Sequence, residues 1–373
     1  MNLRDSYKSV HFLSLKNSLL LWFLLLAIVP LSLNAWFGYR QSAEDLITTA
    51  TQNLGKGAEE KLSFIKGWFD YRFMDLHYQS ESQHNIEFLA SLRAGLTSSG
   101  SSAMEFVESR HWAELVDQKQ QDLTNFLNRF DYVYDLFLID QDGNILYTVE
   151  REIDLGTNVF DGPFADTRFA ASVRESLKTG RSLFSDLERY IPSDKKLAGF
   201  LTAPMFHNNG SIMGVFAIQV RIMRINQLMT NRDEQSSLKH FLVGSDHILR
   251  TPSNGGLDDT DVLRKKIDMR VIENQEMKQD QLMLGDYFEF SFDHYKRGDR
   301  QIVGTYHLFE QPGVNWVLIS EIDKDEILVM ARNLGQMTLS ILLLTCLLVT
   351  GLAVFQARRI TRPIYQLIET SKA

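Results

Sequence analysis

The sequence predicts an α+β protein: two tandem antiparallel sheet domains on a long N-terminal helix, flanked by two transmembrane helices. Three observations predict it. Long uncharged runs bracket the chain at 17–39 and 333–357. Hydrophobic spacing from Ser42 onward is helical, and near position 134 it switches to strand-like alternation. Beyond that point two strand patterns recur in the same order.

The first run contains "LLLWFLLLAIVPLSL" and the second "LSILLLTCLLVTGLAVF". Each is long enough to cross a hydrocarbon core of about 30 Å as a helix. Arg4, Lys8 and Lys16 before the first run also fit a cleaved signal peptide. Its length, and the interfacial aromatics Trp36, Phe37 and Tyr39 at its far end, favour a retained anchor. Basic flanks at both ends (Arg358, Arg359, Arg362 and Lys372 at the second) place both termini in the cytoplasm. Residues 40–332 are then exported, periplasmic or extracellular, across a bacterial inner membrane.

Between 40 and 332 lie 32 Lys and Arg against 45 Asp and Glu, a formal charge of −13. That argues against nucleic acid as a partner. The one cysteine, Cys346, falls in the second uncharged run. The exported part therefore has no disulfides, and a hydrophobic core must hold it.

From Ser42 to about Leu96 apolar residues recur at Leu46, Leu54, Leu62, Ile65, Phe69, Phe73, Leu76, Phe88 and Leu92. "GLTSSGSS" then breaks the helix, and a second helical stretch follows to about 130. An apolar stripe of that length predicts a parallel homodimer, since alone it would stay wet. "YDLFLIDQDGNILYTVE" reads as two strands joined at Asp142-Gly143, a pair that tight hairpins favour. "KKLAGFLTAPMFHNNGSIMGVFAIQV" repeats the device at Asn209-Gly210, and "DGPFADTRFAASVRESLKTG" between them holds a short helix. "LFLIDQDGNILYT" (136–148) recurs as "HFLVGSDHILRT" (240–251), and "GVFAIQVRIMRI" (214–225) as "WVLISEIDKDEI" (316–327). Two matches in one order point to a duplicated sheet unit.

No sequence motif for hydrolysis, nucleotide binding or zinc proteolysis is present. Asp140-Gln141-Asp142-Gly143 imitates the start of a calcium loop, but Arg151 stands where the bidentate glutamate belongs. His77 and His84 lie two helical turns apart without a third ligand. No metal, no cofactor and no catalytic residue are expected.

This layout resembles double Cache sensor domains, the PAS-like input domains of bacterial chemoreceptors, sensor histidine kinases and cyclic-nucleotide signalling proteins. "YDLFLIDQDGNILYTVEREIDLGTN", "SDLERYIPSDKKLAGFLTAP", "FLVGSDHILRT" and "NWVLISEIDKDE" carry the resemblance. It implies a cytoplasmic N-terminus (1–16), a transmembrane helix (17–39), a helical stalk (40–130), a membrane-distal Cache domain (131–230) and a membrane-proximal one (231–332). A second transmembrane helix (333–357) and the start of a HAMP linker (358–373) follow. In the linker, Thr361 would cap a restarted helix just before Pro363.

The implied function is a transmembrane receptor that relays small-molecule binding through the second membrane helix and HAMP to cytoplasmic signalling partners, by way of a chemoreceptor or histidine kinase output. A membrane-tethered binding protein without an output is the alternative. The resemblance places the ligand in the distal domain. Candidate ligand-binding residues are Tyr147, Phe164, Asp166, Arg168, Asp186, Tyr190 and Phe200: aromatic walls with a few charges. Each is equally readable as a structural anchor. Amino-acid-binding members carry an arginine followed by a Trp-Tyr pair before the short helix; "TRFAASV" keeps only the arginine.

Overall fold

The computed structural model describes residues 15–230, 236–253, 258–267, 283–284, 287–297 and 300–370. The expectations for Arg4, Lys8 and Lys372 lie outside these residues. The chain forms two compact units: residues 51–323, and residues 1–50 with 324–373.

Helix α1 (Leu15–Ser80) is one uninterrupted helix that carries Pro30 within it. In the 51–323 unit it buries Leu54, Ala58, Leu62, Ile65, Phe69, Phe73 and Leu76, spaced by three or four as one helical face requires. That stripe packs against the chain's own sheets, within the core that contains Leu138, Phe309 and Trp316. The expectation that a dimer partner must keep this stripe dry is therefore corrected: the sheets do so. The helix ends at Glu81-Ser82, where Asn85 Nδ2 bonds both the carbonyl and the side-chain oxygen of Gln79 at 2.9 Å. Helix α2 (Gln83–Ser99) then stops at Gly100, whose φ of 64° suits the left-handed C-cap.

The second helical stretch resolves into α3 (Ala103–Val107), α4 (Arg110–Lys119) and α5 (Gln121–Arg129). Serines set the breaks: Ser102 closes a capping box with Glu105, and Ser109 caps α4.

The first sheet holds β1 (Val133–Asp140), β2 (Ile145–Thr148), β3 (Leu183–Tyr190), β4 (Lys196–Phe206) and β5 (Ile212–Arg221) in the order β2-β1-β5-β4-β3. All neighbours run antiparallel. Helix α6 (Arg168–Thr179), capped by Thr167, joins β2 to β3, and α7 (Met223–Met229) follows β5. The second sheet holds β6 (Lys239–Gly244), β7 (Met283–Leu284), β8 (Tyr287–Arg297), β9 (Arg300–Gln311) and β10 (Val314–Asp323), ordered β6-β10-β9-β8-β7.

The repeat is visible in the pairing. β1 lies on β5 with Leu138 opposite Phe216, and β6 lies on β10 with Leu242 opposite Leu318. The counterpart of β2 shrinks to a single bridge, Val243 to Leu249, at the turn shortened by one residue. Gly143 (φ 86°) and Gly210 (φ 82°) take the left-handed conformation that the two tight hairpins require.

In the other unit, β10 continues through α8 (Lys324–Ile327) into α9 (Val329–Thr370). Among the described residues one helix is long and apolar enough to cross a membrane, over Val329–Leu352, with mean hydropathy 1.8. The 17–39 run belongs to the same unit as α9. It lies against α9 where Tyr39 approaches Gly335, close enough that an added Cβ would sit 3.3 Å from the ring. Helix α9 runs unbroken past Pro363, which corrects the expected restart at Thr361.

Candidate functional site

Alternation along the strands turns Phe137, Tyr190, Phe200, Val215 and Ala217 toward α6, which adds Phe169 and Val173. Phe169 and Phe200 stack with ring centroids 4.1 Å apart, and Tyr190 meets Phe200 edge-on at 4.8 Å. Phe164, from the loop ahead of α6, lies 6.4 Å from Tyr190. The result is an aromatic wall on one face of the first sheet.

At one end this wall becomes acidic. The Tyr190 hydroxyl donates to Asp154 Oδ2 at 2.7 Å, while Asp154 Oδ1 is buried without a partner. Asp135 Oδ1 accepts the backbone N–H groups of Leu136, Val149 and Glu150 at 2.7, 2.8 and 3.0 Å. Its Oδ2 is likewise buried and unpartnered. Glu152 accepts the Tyr134 hydroxyl at 2.7 Å and the Ser193 hydroxyl at 2.5 Å, and Gln219 donates to Ser193 at 3.0 Å.

Burial disfavours charge here, lifting the Asp154 carboxyl to about 6 and Asp135 well above the usual carboxylate range. Among the described residues no Arg or Lys forms an ion pair with Asp135, Glu152 or Asp154. Chemically this is an acceptor-rich cluster behind packed aromatic rings, with two buried carboxylate oxygens left without a partner.

The residues named from sequence fall into three places. Phe164, Tyr190 and Phe200 share the wall. Tyr147 lies on the opposite face, its ring 5.0 Å from Phe88, and Asp166 is exposed. Arg168 and Asp186 meet each other at the seam between the two sheets. Asp186 sits at a bulge in β3 with φ 63°, which aims its carboxylate at the second sheet. Oδ1 accepts Arg250 Nε at 2.8 Å, Trp316 Nε1 at 3.0 Å and Leu187 N at 2.7 Å. Oδ2 accepts Arg250 Nη2 at 2.8 Å and Arg168 Nη1 at 2.5 Å.

Asp246 Oδ2 closes the network, at 2.9 Å from Arg250 and 3.2 Å from Arg168. Burial would raise the Asp246 carboxyl, but the two guanidiniums outweigh it and hold it below its usual range. Gly244 makes room: a Cβ there would lie 2.3 Å from Arg250 Nη2. A fully partnered carboxylate of this kind is a structural tie.

Sequence reading missed Asp135, Glu152, Asp154, Arg250 and Trp316. One signal was present. In the repeat, Arg250 stands where the first copy has Tyr147, an arginine inside an otherwise apolar strand pattern.

No family model and no curated protein matches the chain. Among solved structures it is similar to the ligand-binding domain of the Pseudomonas aeruginosa PAO1 amino acid chemoreceptor PctB in complex with L-Arg. Identity is 13% and TM-score 0.48, with 80% of this chain and 99% of that one covered. For the domain of PctC from the same organism, in complex with GABA, identity is 12%, TM-score 0.46 and coverage 73% and 100%. For the sensor domain of the Vibrio cholerae histidine kinase DctB the values are 11%, 0.47, 74% and 97%. These similar structures are ligand-binding domains of chemoreceptors and the sensor domain of a histidine kinase.

Proposed function

We propose that this chain is the ligand-sensing part of a two-pass membrane receptor of the double Cache type. The observation that carries the reading is covalent continuity: the last strand of a duplicated sheet unit runs through one short helix into a 24-residue apolar helix. A ligand that favours one arrangement of the sheets then biases that helix by its differential affinity for the two states. A coupling of about 1 to 3 kcal/mol suffices to shift an output.

In this reading the ligand is small and carries an ammonium group, held by Asp154 and Asp135 against Phe164, Tyr190 and Phe200. Asp186 and Arg168 act at the seam rather than on the ligand. The 17–39 segment is the first membrane pass, residues 358–373 open a HAMP linker, and chemoreceptor and histidine kinase outputs are equally compatible.

The test is thermal unfolding of the full chain in lipid nanodiscs against amines, amino acids, organic acids and purines. A ligand at 100 times its Kd adds about 2.7 kcal/mol of stability. Amines or amino acids are expected to raise the melting temperature, and Asp154→Asn to remove the effect. A response confined to uncharged compounds, or one untouched by that substitution, overturns the assignment of the site.

A further inference from the structure

A concavity lies beside the acidic end of the aromatic wall, with Tyr134 and Gln219 common to both. It is a cleft of about 720 Å³ at the end of the first sheet, where β3 and the loop 191–195 meet the close of β5 and the start of α7. Arg189, Lys195, Lys196 and Arg221 line it, against the acids Asp194 and Asp259. A local excess of base is the reverse of its setting, since the exported region is strongly acidic. Low-dielectric walls around like charges focus their field into such a cleft.

Two buried polar atoms in its lining have no partner: Arg189 Nε, a donor, and Asn226 Oδ1, an acceptor. Arg189 is otherwise held by Asp259, through its carbonyl at 2.7 Å and Oδ1 at 3.2 Å. Asp259 follows β6 in sequence, so this bond ties the cleft to the second sheet's own connection. Lys196 Nζ reaches the Tyr134 hydroxyl at 3.2 Å, and Arg221 lies over the same ring at 5.6 Å. Among the described residues neither Arg221 nor Lys195 forms an ion pair. Asp194 and Lys195 both adopt left-handed backbone (φ 55° and 58°), a strain that places consecutive polar side chains at the rim.

We infer that this cleft is a second ligand site, beside the aromatic wall, and that it takes a small organic oxyanion, a carboxylate or a phosphate monoester. The oxyanion accepts from Arg189 Nε and from Arg221 and Lys195, and a hydroxyl on the ligand donates to Asn226 Oδ1. The volume fits a molecule of metabolite size. Because Arg189 also holds Asp259, occupancy acts on both sheet modules at once.

Calorimetric titration of the full chain in nanodiscs tests this, with malonate and glycerol 3-phosphate as probes and malonamide as the uncharged control. Arg221 and Lys195 are exposed, so Arg221→Gln/Lys195→Gln preserves the fold. The double variant is expected to weaken the binding anion at least ten-fold, while Asp154→Asn leaves it unchanged. Whichever probe binds identifies the group recognised. Binding of neither anion, equal binding of malonamide, or an affinity that survives the double substitution overturns the inference. A response to anions without any response to amines would leave this site standing and remove the ammonium site.

Discussion

Asp154 is a buried carboxyl whose proton is worth free energy. Its folded-state pKa of about 6 lies above the ordinary 3.8, so between those values the folded protein binds more protons than the unfolded one. Stability contributed there is present below about pH 4 and lost as pH rises through 6. A shift of that size corresponds to roughly 3 kcal/mol. Asp154→Asn keeps an acceptor for the Tyr190 hydroxyl and removes the titration. The variant is expected to melt higher than the parent at pH 7.5, with the gap closing toward pH 4.5. A gap independent of pH would assign the effect to packing. Asp186 carries the opposite risk. Its carboxylate partners a guanidinium with 1% of its side chain exposed, and Asp186→Ala leaves that buried charge with Asp246 as its one carboxylate partner, a loss on the order of 3 kcal/mol.

At the scale of elements, α1 has two apolar faces with different partners. Leu54 to Leu76 are satisfied by the sheets, whereas Phe64, Tyr71, Met74 and Tyr78 are 66, 64, 63 and 76% exposed. Those four fall at intervals of seven, three and four, the spacing of a coiled-coil seam. This second stripe is the face on which a second copy of the chain, expected from the sequence, would pack. Tyr71→Glu is expected to convert a dimer to a monomer in analytical ultracentrifugation of the full chain in detergent, with an unchanged melting transition. A parent that is already monomeric would overturn the dimer expected from the sequence.

At the scale of the molecule, the question is whether the two sheets unfold together. They share the α1 stripe, the Asp186–Arg250–Trp316 network, and a bond from Phe184 N to the Pro312 carbonyl at 2.7 Å. Calorimetry of the parent is expected to show one transition for the 51–323 unit, and Asp186→Ala to split it in two. A single, lowered transition in the variant would mean that α1 alone couples the sheets. The second sheet adds its own pH response. His307 is buried and both its ring nitrogens lack a partner, and burial lowers it to about 4. The folded state thus binds fewer protons than the unfolded one from pH 4 to 6.5, and this sheet gains stability as pH rises across that window, opposite in sign to Asp154.

Much of this architecture could be read along the chain. Helical spacing located α1, the Asp-Gly and Asn-Gly pairs located both hairpins, and the matched segments anticipated the equivalence of β1 with β6 and of β5 with β10. Such signals depend on residues a few positions apart, within reach of backbone geometry. The site was less legible. The resemblance grouped Phe164, Tyr190 and Phe200, and the fold sets the three close together, but Asp154 gave no local sign of burial. Asp186 and Arg168 resembled ligand groups until Arg250, 64 positions away, and Trp316, 130 positions away, occupied the carboxylate. Which face of α1 is covered, and whether a charged side chain meets solvent, ligand or another side chain, follow from contacts between distant segments. Periodicity reports that a residue is apolar or charged; its partner is assigned only when the sheets close on the helix.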